Sequence, residues 1–223
     1  MGTVLEALWH ELPRGKRPNM SVTTLVLAIA ASLLATAAPV LAARTPIAAS
    51  TARTYLAILT VVADSNSPPY NRALFPTWDI ISGKCDTRQT VLKRDGTSVV
   101  TDSSCRIASG RWVSPYDGVS TNLASDLDID HVVPLKEAWV SGARLWTTAQ
   151  REAFANDLTR PQLVAVTDNL VQSKGDKDIA HWVPPLAPFV CQYTRAWIQV
   201  KHHYHLSIDP AEKTALTNIL ASC

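Results

Sequence analysis

Asp126-Leu-Asp-Ile-Asp-His-Val-Val-Pro-Leu135 is the stretch on which the reading of this chain turns. Acidic and apolar residues alternate through it, and successive side chains of an extended strand point to opposite faces. Asp126, Asp128 and Asp130 then share one face, with Leu127, Ile129 and His131 on the other. The pattern predicts a short strand that ends with a carboxylate beside an imidazole. Those two groups serve metal-assisted phosphodiester hydrolysis, the carboxylate holding a hard divalent cation and the imidazole deprotonating a water. A half-buried edge strand with solvated acids is the plainer account of the same dipeptide, so the surrounding chain has to decide.

Downstream, helices are expected over 136–140 and 148–156, separated by Gly142. Residues 163–166 read as a short apolar strand between Pro161 and Thr167. Residues 168–174 follow as a short helix, with Thr167 or Asp168 as cap and Gly175 as stop. Strand, intervening helices, strand, helix is the order of a ββα-metal unit. Upstream, Tyr55, Leu56, Leu59 and Val62 recur at helical spacing before Pro68-Pro69. A second short helix is expected over 88–94. The Asp95-Gly96 turn then leads into a hairpin of 98–101 with 106–113. Phe189, Tyr193, Trp197, Val200 and Tyr204 form an apolar helical stripe that belongs to a core. Asp209-Pro-Ala-Glu212 is a capping box that opens a terminal helix. The class is α+β.

The N-terminal end reads as an export signal. Arg14, Lys16 and Arg17 precede an uncharged run over 22–43, and Val40-Leu41-Ala42 supplies the small residues of a cleavage site. The expected division is a signal peptide over 1–42 and a single domain over 43–223. Pro39 and the Ala/Ser/Thr-rich content argue against an uncleaved anchor, so no membrane association is expected after cleavage. Myristoylation is excluded because Glu6 stands where Ser or Thr is required. The remaining 181 of 223 residues suffice for one core. Removing 1–42 takes three of 21 basic and two of 19 acidic residues, leaving a net charge of +1. A nearly neutral domain excludes tight, bulk-electrostatic binding of nucleic acid.

Cys85, Cys105, Cys191 and Cys223 all lie in the exported part, an even number that implies two disulfides. Three pairings are possible. Cys85–Cys105 and Cys191–Cys223 are favoured because each brackets a local unit. The spacings do not match a zinc finger. His202, His203 and His205 cannot all face one way on a helix, so a zinc site there is not expected.

Several stretches together carry a resemblance. They are Gly110-Arg-Trp-Val-Ser-Pro-Tyr-Asp-Gly118, Asp128-Ile-Asp-His-Val-Val-Pro-Leu-Lys-Glu-Ala-Trp139, Phe154-Ala-Asn-Asp-Leu158, Ser173-Lys-Gly-Asp176 and Trp182-Val-Pro-Pro185, followed by the run from Cys191 to Cys223. In this order the chain resembles the exported HNH-type endonuclease proteins related to the C-terminal domain of the GmrSD restriction enzymes. The resemblance implies a ββα-metal (His-Me finger) core at about 126–176, flanked by helices and an N-terminal hairpin stapled by a disulfide. It implies a secreted, metal-dependent endonuclease that cuts DNA, or RNA, with low sequence specificity. His131 would be the general base and Asp130 a ligand to Mg²⁺ or Mn²⁺. Nucleic acid is the expected partner, bound through phosphates, and no stable protein partner is implied.

One departure from the family pattern bears on activity. An Asn usually stands three residues before the Lys of Ser-Lys-Gly-Asp and supplies a second metal ligand; here that position is Val171. Three outcomes follow: a one-carboxylate site richer in water, recruitment of Asn169 or Gln172, or a weakened protein kept as a secreted binding module. Asp128 is a further candidate carboxylate, and Glu137 a candidate support for His131. Lys174 and Arg111 are candidate phosphate contacts.

Overall fold

A computed structural model describes residues 45–223, and the signal peptide expected over 1–42 lies outside the described residues. In chain order the elements are α1 (Ala49–Ile58), β1 (Ile80–Ser82), β2 (Cys85–Asp86), α2 (Thr87–Asp95), β3 (Thr97–Thr101), β4 (Ile107–Val113), β5 (Ser120–Thr121) and β6 (Leu127–His131). After them come α3 (Leu135–Val140), α4 (Thr148–Ala155), β7 (Leu163–Thr167), α5 (Asp168–Lys174), α6 (Ala187–His203) and α7 (Pro210–Ala221). The fold is α+β, as the mixed periodicities predict. Among the described residues no helix is long and apolar enough to cross a membrane.

The centre is the antiparallel ribbon of β6 and β7, paired from Leu127↔Thr167 to His131↔Leu163. Residues directly opposite share a face, so the register sorts the ribbon into two sides. Leu127, Ile129, Leu163 and Ala165 pack with Val91, Leu92 and Trp112. Val164 and Val166 face the larger cluster, built on Trp139, Phe154, Tyr193, Trp197 and Leu216. β7 is thus buried on both sides, as its nearly continuous apolar content requires, while Asp128 of β6 is exposed.

Local chemistry sets the element ends. Asp86 caps α2 by accepting from Gln89 N at 2.7 Å. Thr147/Gln150 and Asp209/Glu212 form reciprocal capping boxes on α4 and α7. Gly175, at φ 54°, ends α5 with its N–H on Val171 O at 2.8 Å. Gly110 makes room for Trp112: a Cβ there would lie 2.3 Å from the indole ring, whose Nε1 donates to Leu92 O at 2.8 Å.

Both local disulfides form. Cys85 is bonded to Cys105, which staples β2 to the β3–β4 turn, and Cys191 to Cys223, which ties α6 to the end of α7. Each stabilises by about 3 to 4 kcal/mol on a loop-entropy account. The first helix lies earlier than its apolar spacing predicts, at Ala49–Ile58 rather than near 55–62. Tertiary pairing explains the shift: Val61 bridges Ile208 and Val62 N donates to Ile208 O, so residues 60–62 are drawn out as extended chain. The β1–β2 hairpin had no sequence signal, because the three side chains of β1 are all exposed and show no alternation.

Candidate functional site

Asp130 and His131 occupy the last two positions of β6 and leave it on opposite sides, since their partners Val164 and Leu163 belong to different core clusters. They remain near enough for the Asp130 charge to act on the imidazole.

Asp130 points into the helical side and is 5% exposed. Its Oδ2 accepts from Tyr116 Oη at 2.6 Å and from Lys174 Nζ at 2.5 Å. The Lys174 ammonium, fully buried, also donates to His131 O at 2.6 Å and Val132 O at 3.1 Å. All three of its donors are used, and it lies 5.8 Å from the Tyr193 ring centroid. Burial pulls the lysine below its ordinary range, and Asp130 opposes that shift. Burial and Asp130 push Tyr116 well above the usual phenol value, so it stays a donor. Lys174 is thus not a phosphate contact. It neutralises a carboxylate that would otherwise be buried unpaired. Both hydrogen bonds fall on Oδ2, which leaves Asp130 Oδ1 without a hydrogen-bond partner among the described residues.

His131 lies on the other side, partly exposed. Its Nε2 is 2.9 Å from Ala155 O. A carbonyl oxygen only accepts, so Nε2 carries the proton and Nδ1 keeps its lone pair. Trp78 stacks along the ring, with centroids 5.8 Å apart and planes 15° from parallel. Burial lowers the imidazole from 6.5 to about 4; the Ala155 bond and Asp130 oppose the shift, while Lys174 and Arg72 add to it. The ring is neutral at pH 7. Arg72 itself is exposed and held by Phe75 O at 2.7 Å and Thr77 Oγ1 at 2.9 Å. Sequence reasoning missed Trp78, Arg72, Tyr116 and the Ala155 carbonyl. Tyr116 and Ala155 lay within quoted motifs, and Trp78 and Arg72 lay in none.

On α5, Val171 is one turn before Lys174 and so on the same helix face. It packs against the helical core, and an asparagine at 171 would look toward the same space as Lys174. Asn169 and Gln172 are exposed, Gln172 in a cleft with Asp64, Glu137 and Asp178. No hydrogen bond joins either to Asp130 among the described residues. Asp128 is exposed on the strand, and Arg111 lies on β4 beside Ser120 and Asn122. No hydrogen bond or ion pair joins Asp128 or Arg111 to Asp130 or His131 among the described residues.

Glu137 does not support His131. It takes the buried Lys201 ammonium at 2.6 Å, which also bonds Glu212 at 2.7 Å and Ser207 O at 2.9 Å. Asp64 completes a group of three carboxylates whose oxygens lie within 4.8 Å of one another. Lys201 already supplies the positive charge there. Burial first, and then Glu137, raise Asp64 to about 6. His202 is used in packing, stacked on Tyr55 at 3.6 Å.

Comparison with known proteins bears on what the site is for. The sequence model of a family described as "GmrSD restriction endonucleases, C-terminal domain" matches residues 86–219. An uncharacterized secreted protein of Arthroderma benhamiae is 53% identical over 204 residues, covering 92% of this chain and 100% of the relative. No solved structure matches.

Proposed function

The chain belongs to the family of the C-terminal domain of the GmrSD restriction endonucleases, and from that membership we propose that it is a secreted nuclease hydrolysing phosphodiester bonds of DNA, and of RNA where the strand is accessible. Its relative is likewise a secreted protein. In this reading the β6–β7 ribbon with α5 following at once is a ββα-metal core, and His131 is the general base. One observation carries the proposal. The Ala155 carbonyl fixes the proton on Nε2, and burial keeps the ring neutral, so Nδ1 offers a lone pair to a water at neutral pH.

The residues present fit a divalent cation to a limited degree. Mg²⁺ keeps most of its waters and is commonly bound by one or two carboxylates together with substrate phosphates. Asp130 Oδ1 would be the oxygen for it, with Mn²⁺ as the alternative ion, on the strand face opposite to His131 and beside the Lys174 ammonium. Bound there, such a cation supplies neutralisation of charge on the phosphoryl and leaving 3′ oxygens. The protein's own groups do the rest: Nδ1 of His131 takes the proton of the attacking water, and the exposed Arg72 guanidinium draws the phosphate toward it. With a domain charge near +1, binding is weak, salt-sensitive and tolerant of sequence.

A second reading is a catalytically weakened secreted module. Val171 packed against the core, and a Lys174 ammonium already paired with Asp130, favour it. Purified 43–223, incubated with plasmid and Mg²⁺ or Mn²⁺ beside His131→Ala and Val171→Asn, separates the two. Metal-dependent cutting that His131→Ala abolishes supports the enzyme. Cutting by Val171→Asn alone supports the weakened module, and equal cutting by wild type and His131→Ala overturns the role of the imidazole.

A further inference from the structure

The motif Phe154-Ala-Asn-Asp-Leu158 supplies the Ala155 carbonyl to the chemistry above, and its asparagine is buried at 8% exposure with every amide group bonded. Asn156 Nδ2 donates to Pro76 O at 3.0 Å and to Glu152 O at 2.9 Å. Its Oδ1 accepts from Asp79 N at 3.1 Å and from Thr87 Oγ1 at 2.9 Å. Pro76 and Asp79 bracket Trp78. The Asp79 carbonyl is held in turn by Thr87 N at 2.9 Å, so the backbone around Trp78 is fixed on both sides by one side chain.

Asn156 also directly follows Ala155, whose carbonyl meets His131 Nε2. It caps the end of α4, its own N–H bonding Glu152 O at 3.0 Å. The two structures that hold the imidazole are the indole along its face and the carbonyl at its edge. They come from segments almost 80 residues apart, joined by the pair Asn156–Pro76 at a separation of 80.

We propose that Asn156 is the positioning residue of the His131 site, a clamp that locks the Trp78 segment to the end of α4 and so sets both the orientation and the tautomer of the general base. The proposal deepens the nuclease reading and rests on it for its catalytic meaning, while the clamp itself is a statement about His131 alone. The chemistry suits an amide. Two donors and an acceptor oxygen with two lone pairs match the two carbonyls, the N–H and the hydroxyl. Aspartate cannot donate to Pro76 O, and leucine or alanine meets none of the four.

The test reads the imidazole proton directly. In wild type, the Nε2–H of His131, assigned by its absence in His131→Gln, gives an NMR resonance protected from exchange with water at pH 7. Asn156→Ala loses that resonance by exchange, and its plasmid turnover at saturating substrate falls by about 10- to 100-fold with little change in KM. Asn156→Asp keeps the acceptor half and shows an intermediate loss. If Asn156→Ala does not fold, Thr87→Val, which removes one of the four bonds, decides: faster exchange supports the clamp, and exchange as in wild type overturns it. A resonance that persists unaltered in folded Asn156→Ala also overturns it. Should wild type cut no nucleic acid, the nuclease reading falls, and the exchange of the Nε2 proton still decides the clamp.

Discussion

Lys174 reaches from α5 to Asp130 on β6, 44 residues away, and pairs with it at 2.5 Å where the lysine has no solvent exposure. The pair closes the α5 helix against the strand that carries the proposed base. Removing one partner leaves the other charged and desolvated, whereas removing both does not. Lys174→Met is therefore expected to destabilise by about 3 to 5 kcal/mol. The double variant Lys174→Met/Asp130→Asn is expected to lose less than the sum of the single changes. Urea unfolding of the four proteins measures the coupling, and strict additivity would count against the pair.

Val171 sets the second expectation. The side chain is only partly buried, so Val171→Asn is expected to cost no more than about 1 to 2 kcal/mol of stability. It places an oxygen on the helix face of Lys174, where the family pattern puts a ligand. Plasmid cutting in Mn²⁺ is expected to rise about tenfold or more, and Mn²⁺ is expected to raise the melting temperature of the variant more than that of wild type. No change in either measurement removes the ligand argument.

His131 gives the pH dependence. Its folded value of about 4 lies below the 6.5 of a free imidazole. Between those values the unfolded chain binds the proton and the folded chain does not, so stability rises with pH across that window and is level above it. The contribution is full above pH 6.5 and is lost as pH falls toward 4, by up to about 3 kcal/mol. Denaturation midpoints at pH 4.5 and 7 are expected to lie closer together in His131→Gln than in wild type. The acid limb of the cutting rate is expected near pH 4 to 5 rather than 6.5, and a limb at 6.5 would contradict the desolvation of the ring.

Lys201 holds α3 and α7 to α6 through Glu137 and Glu212. Lys201→Ala leaves two buried carboxylates facing each other and is expected to lower stability by about 3 to 5 kcal/mol. The His131 Nε2 resonance of the folded fraction stays as in wild type, because Glu137 does not touch that ring. A change there would restore the role for Glu137 that the sequence suggested.

Much of the architecture was legible because it is written in short-range pattern. Alternation over 127–131, the apolar run at 163–166, Gly175 as a stop and the Asp209 capping box each act within a few residues. The cysteine pairs were legible for the same reason, both closing loops of modest length. The ribbon that carries the candidate site was legible, but the groups packed around Asp130 and His131 were not. Lys174 looked like a phosphate contact because a lysine near a helix end usually lies in water. It is buried here by a carboxylate from a distant strand.

The sequence by itself determined most of the elements, the ribbon order and the family, since periodicity and caps are local properties of the chain. Tertiary structure alone decided which charges are silenced and which lone pair stays open. Asp130 is claimed by Lys174 and Tyr116, Glu137 by Lys201, and His131 by Trp78 and Ala155 through Asn156. Those partners are separated by tens of residues, and what selects them is the cost of burying an unpaired polar group once the helices close over the ribbon.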